Sequence, residues 1–344
     1  TEAFAFSGRV IGSAQSVNDG YHLNTALYAS NEQHRLKLAA MTESGDDAEF
    51  PDGEITPTEY ERQRYDLGYG FRSGHHTLQL DYGYNDTGDS GTPALPMDIE
   101  TIESDLYNLS YRFEIASEIE VEVDVYGSDL DHEMTNFELR QAPAAGNWRR
   151  NTASSDNLGF NLHTTLHDEQ GAWHFGFDGF GAEHDSDIDN PNNPSFFVTN
   201  FNSAEREVLG AFLERQHDFN TAWRGELGIR YNRVEMDADE VDGTPAMMPP
   251  AQMLRDAFNN ADRNQDDNNV DLVAKAWYRA SDSSSWYAGI ARKHRSPSYQ
   301  ERYLWLPLEA TGGLADGYTY TGNIALDPER SNQVEFGLDY SKGR

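Results

Sequence analysis

Between Glu118 and Asp129 the chain reads Glu-Ile-Glu-Val-Glu-Val-Asp-Val-Tyr-Gly-Ser-Asp, so apolar and acidic residues trade places at almost every step. Successive side chains point to opposite sides in an extended strand, which puts Ile119, Val121, Val123 and Val125 on one face and Glu118, Glu120, Glu122 and Asp124 on the other. One face seeks hydrocarbon and the other water. The same alternation recurs at Tyr107, Leu109, Tyr111 and Phe113, at Trp173, Phe175 and Phe177, and at Trp223, Leu227, Ile229 and Tyr231. Helix-period stripes are scarce and about fourteen candidate strands can be counted, which predicts an all-β chain.

The connections between these strands alternate in length. Short turns are predicted near Arg72 to His75, Ile115 to Glu118, Asp168 to Gly171, His217 to Asn220 and Ser281 to Ser284. Long polar segments lie between them, near Glu43 to Glu61, Asp86 to Glu103, Glu133 to Ala153, Asp185 to Ser203, Asp237 to Asn269 and Arg295 to Arg330. A soluble sandwich, propeller or solenoid has no reason to collect its long loops at one end, and no fixed-period repeat supports the last two. An outer-membrane barrel has short turns on one side and long loops on the other, with strands that alternate lipid-facing and lumen-facing residues. The chain is therefore predicted to be an antiparallel transmembrane β-barrel, incomplete at about fourteen strands against the roughly 22 of the largest transporter-type barrels.

Composition narrows the function. With 26 Lys plus Arg against 59 Asp plus Glu, the formal charge is −33, so nucleic acid is excluded as a partner: phosphate binding needs clustered basic side chains. There is no cysteine, hence neither a disulfide framework nor a thiolate zinc site within these residues. No apolar run of about 18 residues marks a membrane helix. The absence of an initiator Met at Thr1, and a strand-like run reaching almost to Lys342, Gly343 and Arg344, read as a piece of a longer protein.

Two stretches near the C-terminal end carry a family resemblance: Arg-Lys-His-Arg-Ser-Pro-Ser-Tyr-Gln-Glu-Arg-Tyr from Arg292, and Gly-Asn-Ile-Ala-Leu-Asp-Pro-Glu-Arg-Ser-Asn-Gln-Val-Glu-Phe-Gly-Leu from Gly322. Both resemble late-barrel signatures of TonB-dependent outer-membrane receptors. The resemblance implies that residues 1–344 are part of such a barrel in the Gram-negative outer membrane, with the N-terminal plug domain and the last strands absent. It also implies a transporter rather than an enzyme. The implied partners are outer-membrane lipid and lipopolysaccharide, together with the TonB energy-coupling protein, which would act through the missing N-terminal region.

Within that family, Leu95-Pro96-Met97-Asp98, then His132-x-Met134-x-Asn136 and Leu139-Arg140, look most like the TonB-dependent copper receptors. Those receptors are understood to hold copper with a Cys-x-x-x-Met pair on the plug and a His-x-Met pair on the barrel. Only the second pair has counterparts here, His132 and Met134. Met97 is a candidate for a further contact. The resemblance thus implies a transported copper ion as ligand and no resident cofactor. Reduced copper is soft and prefers thioether and imidazole donors. An i, i+2 pair on a strand shares one face, and positions 132 and 134 have the even, lumen-facing parity if the strand runs on without a bulge.

Other signals are weaker. Met247-Met248-Pro249-Pro250-Ala251-Gln252-Met253 is a second cluster of soft donors, read as loop packing, with a short helix expected over Met253 to Asn260. Asp185-Ser-Asp187-Ile-Asp189-Asn190 fails as an EF-hand because Asn190 stands where Gly is needed and Phe196 where Glu is needed; it reads as a solvated loop. There is no Gly-x-Ser-x-Gly elbow, phosphate loop or His-Glu-x-x-His, hence no catalytic residue is named. Uptake of a ferric siderophore, heme or cobalamin, and a passive porin-like barrel, remain alternatives to copper uptake.

Overall fold

In the computed structural model, which describes residues 3–115, 118–308 and 318–341, the alternating segments are strands. The first seven are β1 (Ala5–Gln15), β2 (Gly20–Ser30), β3 (His34–Gly45), the short β4 (Ala48–Phe50) and β5 (Gly53–Ile55), β6 (Tyr60–Ser73) and β7 (His76–Ser90). Then follow β8 (Asp98–Ile115), β9 (Ile119–Thr135), β10 (Arg150–Asp168), β11 (Gly171–Asp189) and β12 (Phe197–Asp218). The last are β13 (Trp223–Asp237), β14 (Gln265–Ser281), β15 (Ser284–Arg295) and β16 (Glu329–Tyr340). Two helices, α1 (Ala251–Asn259) and α2 (Tyr299–Tyr303), lie in the long connections. Among the described residues no helix is long and apolar enough to cross a membrane.

Fourteen strands form one antiparallel sheet in sequence order, and β4 and β5 make a separate small hairpin. The topology is the predicted up-and-down meander. Among the described residues β1 and β16 pair with no closing strand, so the sheet is an open wall. The turn after β6 shows how register is set. Ser73 pairs with His76 across two residues, and Gly74 supplies the positive φ of 57° that so tight a hairpin requires. Of the turn expected at Ile115 to Glu118, residues 116 and 117 lie outside the described residues, as do residues 1 and 2, residues 309–317 of the last long segment and residues 342–344.

Register carries the alternation from strand to strand. Tyr107, Leu109 and Tyr111 pair with Gly127, Val125 and Val123, which pair with Leu158, Phe160 and Leu162, and these with Gly181, Gly179 and Phe177. The apolar rows thus merge into one face, and its side chains stay bare: Leu158 is 66% exposed, Leu209 59% and Phe336 79%. Such an exterior suits hydrocarbon rather than water. Aromatic pairs edge this band, with Trp223 stacked on Tyr278 at 4.7 Å near the short turns and Tyr82 against Tyr107 at 5.5 Å nearer the long loops. The opposite face is polar, as in the ion pair of Arg230 with Asp178 at 2.6 Å.

The strands extend further than the sequence pattern suggested. β7 runs to Ser90 and β8 begins at Asp98, well inside the segment read as a loop from Asp86 to Glu103. Likewise Asp185 to Asp189, read as a solvated loop, is the end of β11: Asp189 pairs with Arg150 at 2.6 Å, and Asp185 accepts from the Ser203 amide. Above the lipid band both strand faces meet water, so the hydrophobic signal vanishes while the ladder continues.

The hydrophobic core of the described residues lies at the long-loop end, on the inward side of β11 to β13. There Tyr303, Leu304, Trp305 and Leu306 pack over Phe201, Ala204, Val234 and Met236. Trp305 donates its indole N–H to the Thr199 carbonyl at 2.9 Å. Arg302, 2% exposed, anchors this segment by pairing with Asp267 at 3.0 and 3.1 Å and donating to the Leu326 carbonyl. Removing one partner of a buried pair strands the other charge, which costs about 3–5 kcal/mol. Arg302→Ala should therefore release the segment, read as new protease cleavage between Ser296 and Leu308. On the outer face, Leu209→Arg should cost about 2–4 kcal/mol in a lipid folding titration, whereas Asn161→Arg, whose side chain lies on the polar face, should cost little.

Candidate functional site

His132 and Met134 lie at the long-loop end of β9. The β9–β10 ladder is unbroken from Leu166↔Ile119 to Arg150↔Thr135, so parity holds: both side chains share the polar, inward face with Tyr126 and Ser128. The irregularity is on the neighbouring strand, where Glu100 of β8 is skipped between the rungs Ile99↔Met134 and Thr101↔Glu133. His132 is flanked by Ile102 and Ala153, and Met134 by Ile99 and Asn151. Between small and aliphatic neighbours the imidazole finds no polar partner. Its Nε2 is buried and, among the described residues, accepts and donates no hydrogen bond.

Met97 is 3% exposed and precedes Asp98, whose rung with Thr135 adjoins that of Met134. Its carbonyl is held by the Thr92 hydroxyl. This corner is clamped by charge: Asp98, fully buried, receives Arg140 Nε and Nη2, each at 2.6 Å, while the same guanidinium donates to the Leu95 carbonyl at 2.8 Å. Across the strand end, Asn136 braces the returning chain by accepting from the Arg149 amide at 2.9 Å and donating to the Asn147 carbonyl at 3.1 Å. The segments carrying Met97 and His132-x-Met134 are thus fastened to each other. Among the described residues no three His, Asp or Glu groups converge to cage an ion, so soft donors are what this corner offers.

Sequence reasoning did not single out His184. It pairs with Ser155, itself opposite Leu130, and so faces inward one strand beyond Ala153, whose bare methyl separates it from His132. Its ring packs against Tyr299 of α2 at 4.8 Å and edge-on against Phe201 at 5.3 Å. Only the register of three strands brings it here, although its parity on β11 could have been read from the turn at Asp168 to Gly171. The methionine cluster differs from expectation: Met247, Met248 and Met253 are 73%, 71% and 69% exposed, and Ala246, Leu254 and Phe258 do the packing they were expected to do. The helix there begins at Ala251, two residues earlier than expected.

These features define a class of protein: a large meandering wall with a greasy outside, a polar inside, and loops folded over one end. The chain belongs to the TonB-dependent receptor β-barrel family, since the family model described as "TonB dependent receptor-like, beta-barrel" matches residues 14–344. Members of that family are transporters of the Gram-negative outer membrane. No curated protein matches the sequence. Among solved structures, "Copper transporter OprC" superposes with a TM-score of 0.77 at 20% identity, covering 99% of this chain and 53% of that one. A double mutant of the Serratia marcescens hemophore receptor HasR, in complex with its hemophore HasA and heme, gives 0.69 at 14% identity over 97% and 50%. The ferric citrate transporter FecA in the unliganded form gives 0.67 at 12% over 99% and 49%. The chain spans about half the length of these structures, and at such identities the likeness concerns the fold.

The segment that packs on His184 carries its own pH dependence. Glu301 caps α2 reciprocally with Ser298 and receives Arg295 Nη1 and Nη2 at 2.8 and 2.9 Å. The Arg295 guanidinium, and then the Ser298 amide, hold its carboxyl down from 4.5 to about 2. A depressed carboxyl stabilises the docked form fully above its ordinary value and loses that contribution as pH falls toward the folded value. Trp305 fluorescence, isolated by comparison with Trp305→Phe, should therefore shift red between about pH 4.5 and about 2. In Glu301→Gln this pH-dependent step should be missing.

Proposed function

We propose that this chain is the barrel wall of an outer-membrane receptor that takes up copper, captured at the external end by His132 and Met134 with Met97 as a further contact. The observation that carries the reading is the Nε2 of His132, buried and without a hydrogen-bond partner among the described residues, on the same inward face as the Met134 thioether. A buried ring nitrogen left without a hydrogen-bond partner is costly, and in the tautomer that presents its lone pair the cost is relieved when an ion binds there. Imidazole and thioether together suit a soft monovalent copper ion and discriminate against hard cations, which favour carboxylate. The many carboxylates of this chain would then serve to raise the local concentration of cations. A pair of donors is incomplete, and the remaining donors would come from a plug N-terminal to Thr1. On this reading release follows when the TonB protein pulls on that plug. Lipid and lipopolysaccharide of the outer membrane would surround the apolar face. The wall contributes position and ligands, and no catalytic step.

The test is titration of the detergent-extracted receptor with monovalent copper against a competing chelator. His132→Ala with Met134→Ala should weaken binding by about 100-fold, equivalent to ~2.8 kcal/mol. Met97→Leu should weaken it less. Unchanged affinity in the double variant would overturn the copper reading and favour a ferric siderophore or heme, recognised by aromatic and arginine side chains of the long loops.

A further inference from the structure

Ten residues down β9 from His132, Glu122 faces the same inward side, and its partner on β10 is His163. The spacing is about 34 Å along the strand at ~3.4 Å per residue, enough for a tilted strand to cross the apolar band. His163 pairs in turn with Gly176 of β11, and His174, two residues before Gly176, pairs with Thr165. The two imidazoles consequently lie diagonally on one face, with ring centroids 5.7 Å apart.

The surroundings leave each ring one nitrogen. His163 Nδ1 lies 3.7 Å from Glu122 Oε2, while its Nε2 is buried and, among the described residues, has no hydrogen-bond partner. His174 Nδ1 is engaged by Thr165 Oγ1 at 3.1 Å. Where Nδ1 carries the ring proton toward such a hydroxyl or carboxylate, the other nitrogen's lone pair is left for a metal, which is how metal-ligating histidines are held; at 3.7 Å Glu122 acts on His163 through its charge rather than through a hydrogen bond. Phe212 closes the far side, its ring centroid 5.8 Å from that of His163. It reaches there across Gly176, where an added Cβ would come within 2.8 Å of the Phe212 ring.

We propose that His163 and His174 form a second cation site, on the inner wall near the short-turn end, for a transition metal that accepts imidazole nitrogen. Two metal–nitrogen bonds of about 2.0–2.1 Å plus the radii of both rings separate the centroids of imidazoles sharing one ion by about 6 Å, close to the spacing observed. No third His, Asp or Glu among the described residues joins them in a cage. The pair is thus a seat with open positions, suited to handing an ion on, and unlike the closed four-ligand sites of structural metals. That the ion is copper rests on the function proposed above. That two directed imidazoles bind a transition metal does not.

The experiment titrates the detergent-extracted receptor anaerobically with monovalent copper, and separately with divalent nickel, which favours imidazole over thioether. Expected for the parent are two copper ions, falling to one in His163→Ala with His174→Ala, whose remaining affinity is unchanged. Nickel binding should disappear in that variant alone. Glu122→Gln should weaken the lower site by about 10-fold. If the alanine pair prevents folding, His163→Gln with His174→Gln carries the same comparison with polar bulk retained. Full copper and nickel binding in the folded double variant overturns the inference and leaves the imidazoles as packing beneath Phe212. If instead His132→Ala with Met134→Ala changes nothing while the lower pair is still required for one ion, the external copper site fails and the lower site stands.

Discussion

Within hydrocarbon every backbone N–H and C=O must find a partner inside the protein, because no water is there to replace one. A long antiparallel ladder meets that demand for all its inner strands, and every strand of the sheet between β1 and β16 is bonded on both sides. Everything else in this wall follows from holding the ladder's register. Because side chains change face at each residue, one slipped rung would turn Val125 or Leu209 inward and send Asp124 or Gly210 to the lipid. The tight turns at the short end, such as that at Gly74, keep the rungs aligned.

The ladder alone does not make a receiving end. At the long-loop side the strands outgrow the lipid band, and the chain builds the only compact core of its described residues there, by laying Tyr303 to Leu306 over β11 to β13. Two ion pairs with buried carboxylates fasten this end, the fully buried Arg302 with Asp267 beneath the docked segment and the half-buried Arg140 with Asp98 beside Met97. Buried pairs add little net stability over apolar packing, but each specifies one arrangement, since displacement leaves a charge stranded. Here they decide where Met97, His132 and the aromatic neighbours of His184 stand. The acid-sensitive contact between Arg295 and Glu301 sits at the rim of the same assembly.

Along β9, β10 and β11 the inward face carries imidazole near both ends, His132 above and His163 with His174 below. Nε2 of His132 and of His163 is buried without a partner among the described residues, while the neighbours are small, aliphatic or already engaged. An acidic wall with many exposed carboxylates attracts cations without selecting among them. On the proposed function, imidazole and thioether donors in partly dry niches would supply what carboxylates lack, a preference for metals that tolerate loss of water.

The amino-acid sequence by itself determined which residues alternate, and hence the all-β meander, the greasy outer rows of Tyr107 to Phe113 and Ile119 to Val125, the short turns, and the shared face of His132 and Met134. These are local properties, set by a two-residue period and by turn chemistry. Strand ends at Ser90, Asp98 and Asp189 were not legible, because above the lipid both faces are wet and the pattern falls silent. The brace of Arg140 on Asp98, the placing of His184 two strands from His132, and the meeting of His163 with His174 were decided only by tertiary structure. They join residues on different strands, and which residues meet depends on register, bulges and loop docking summed over the sheet.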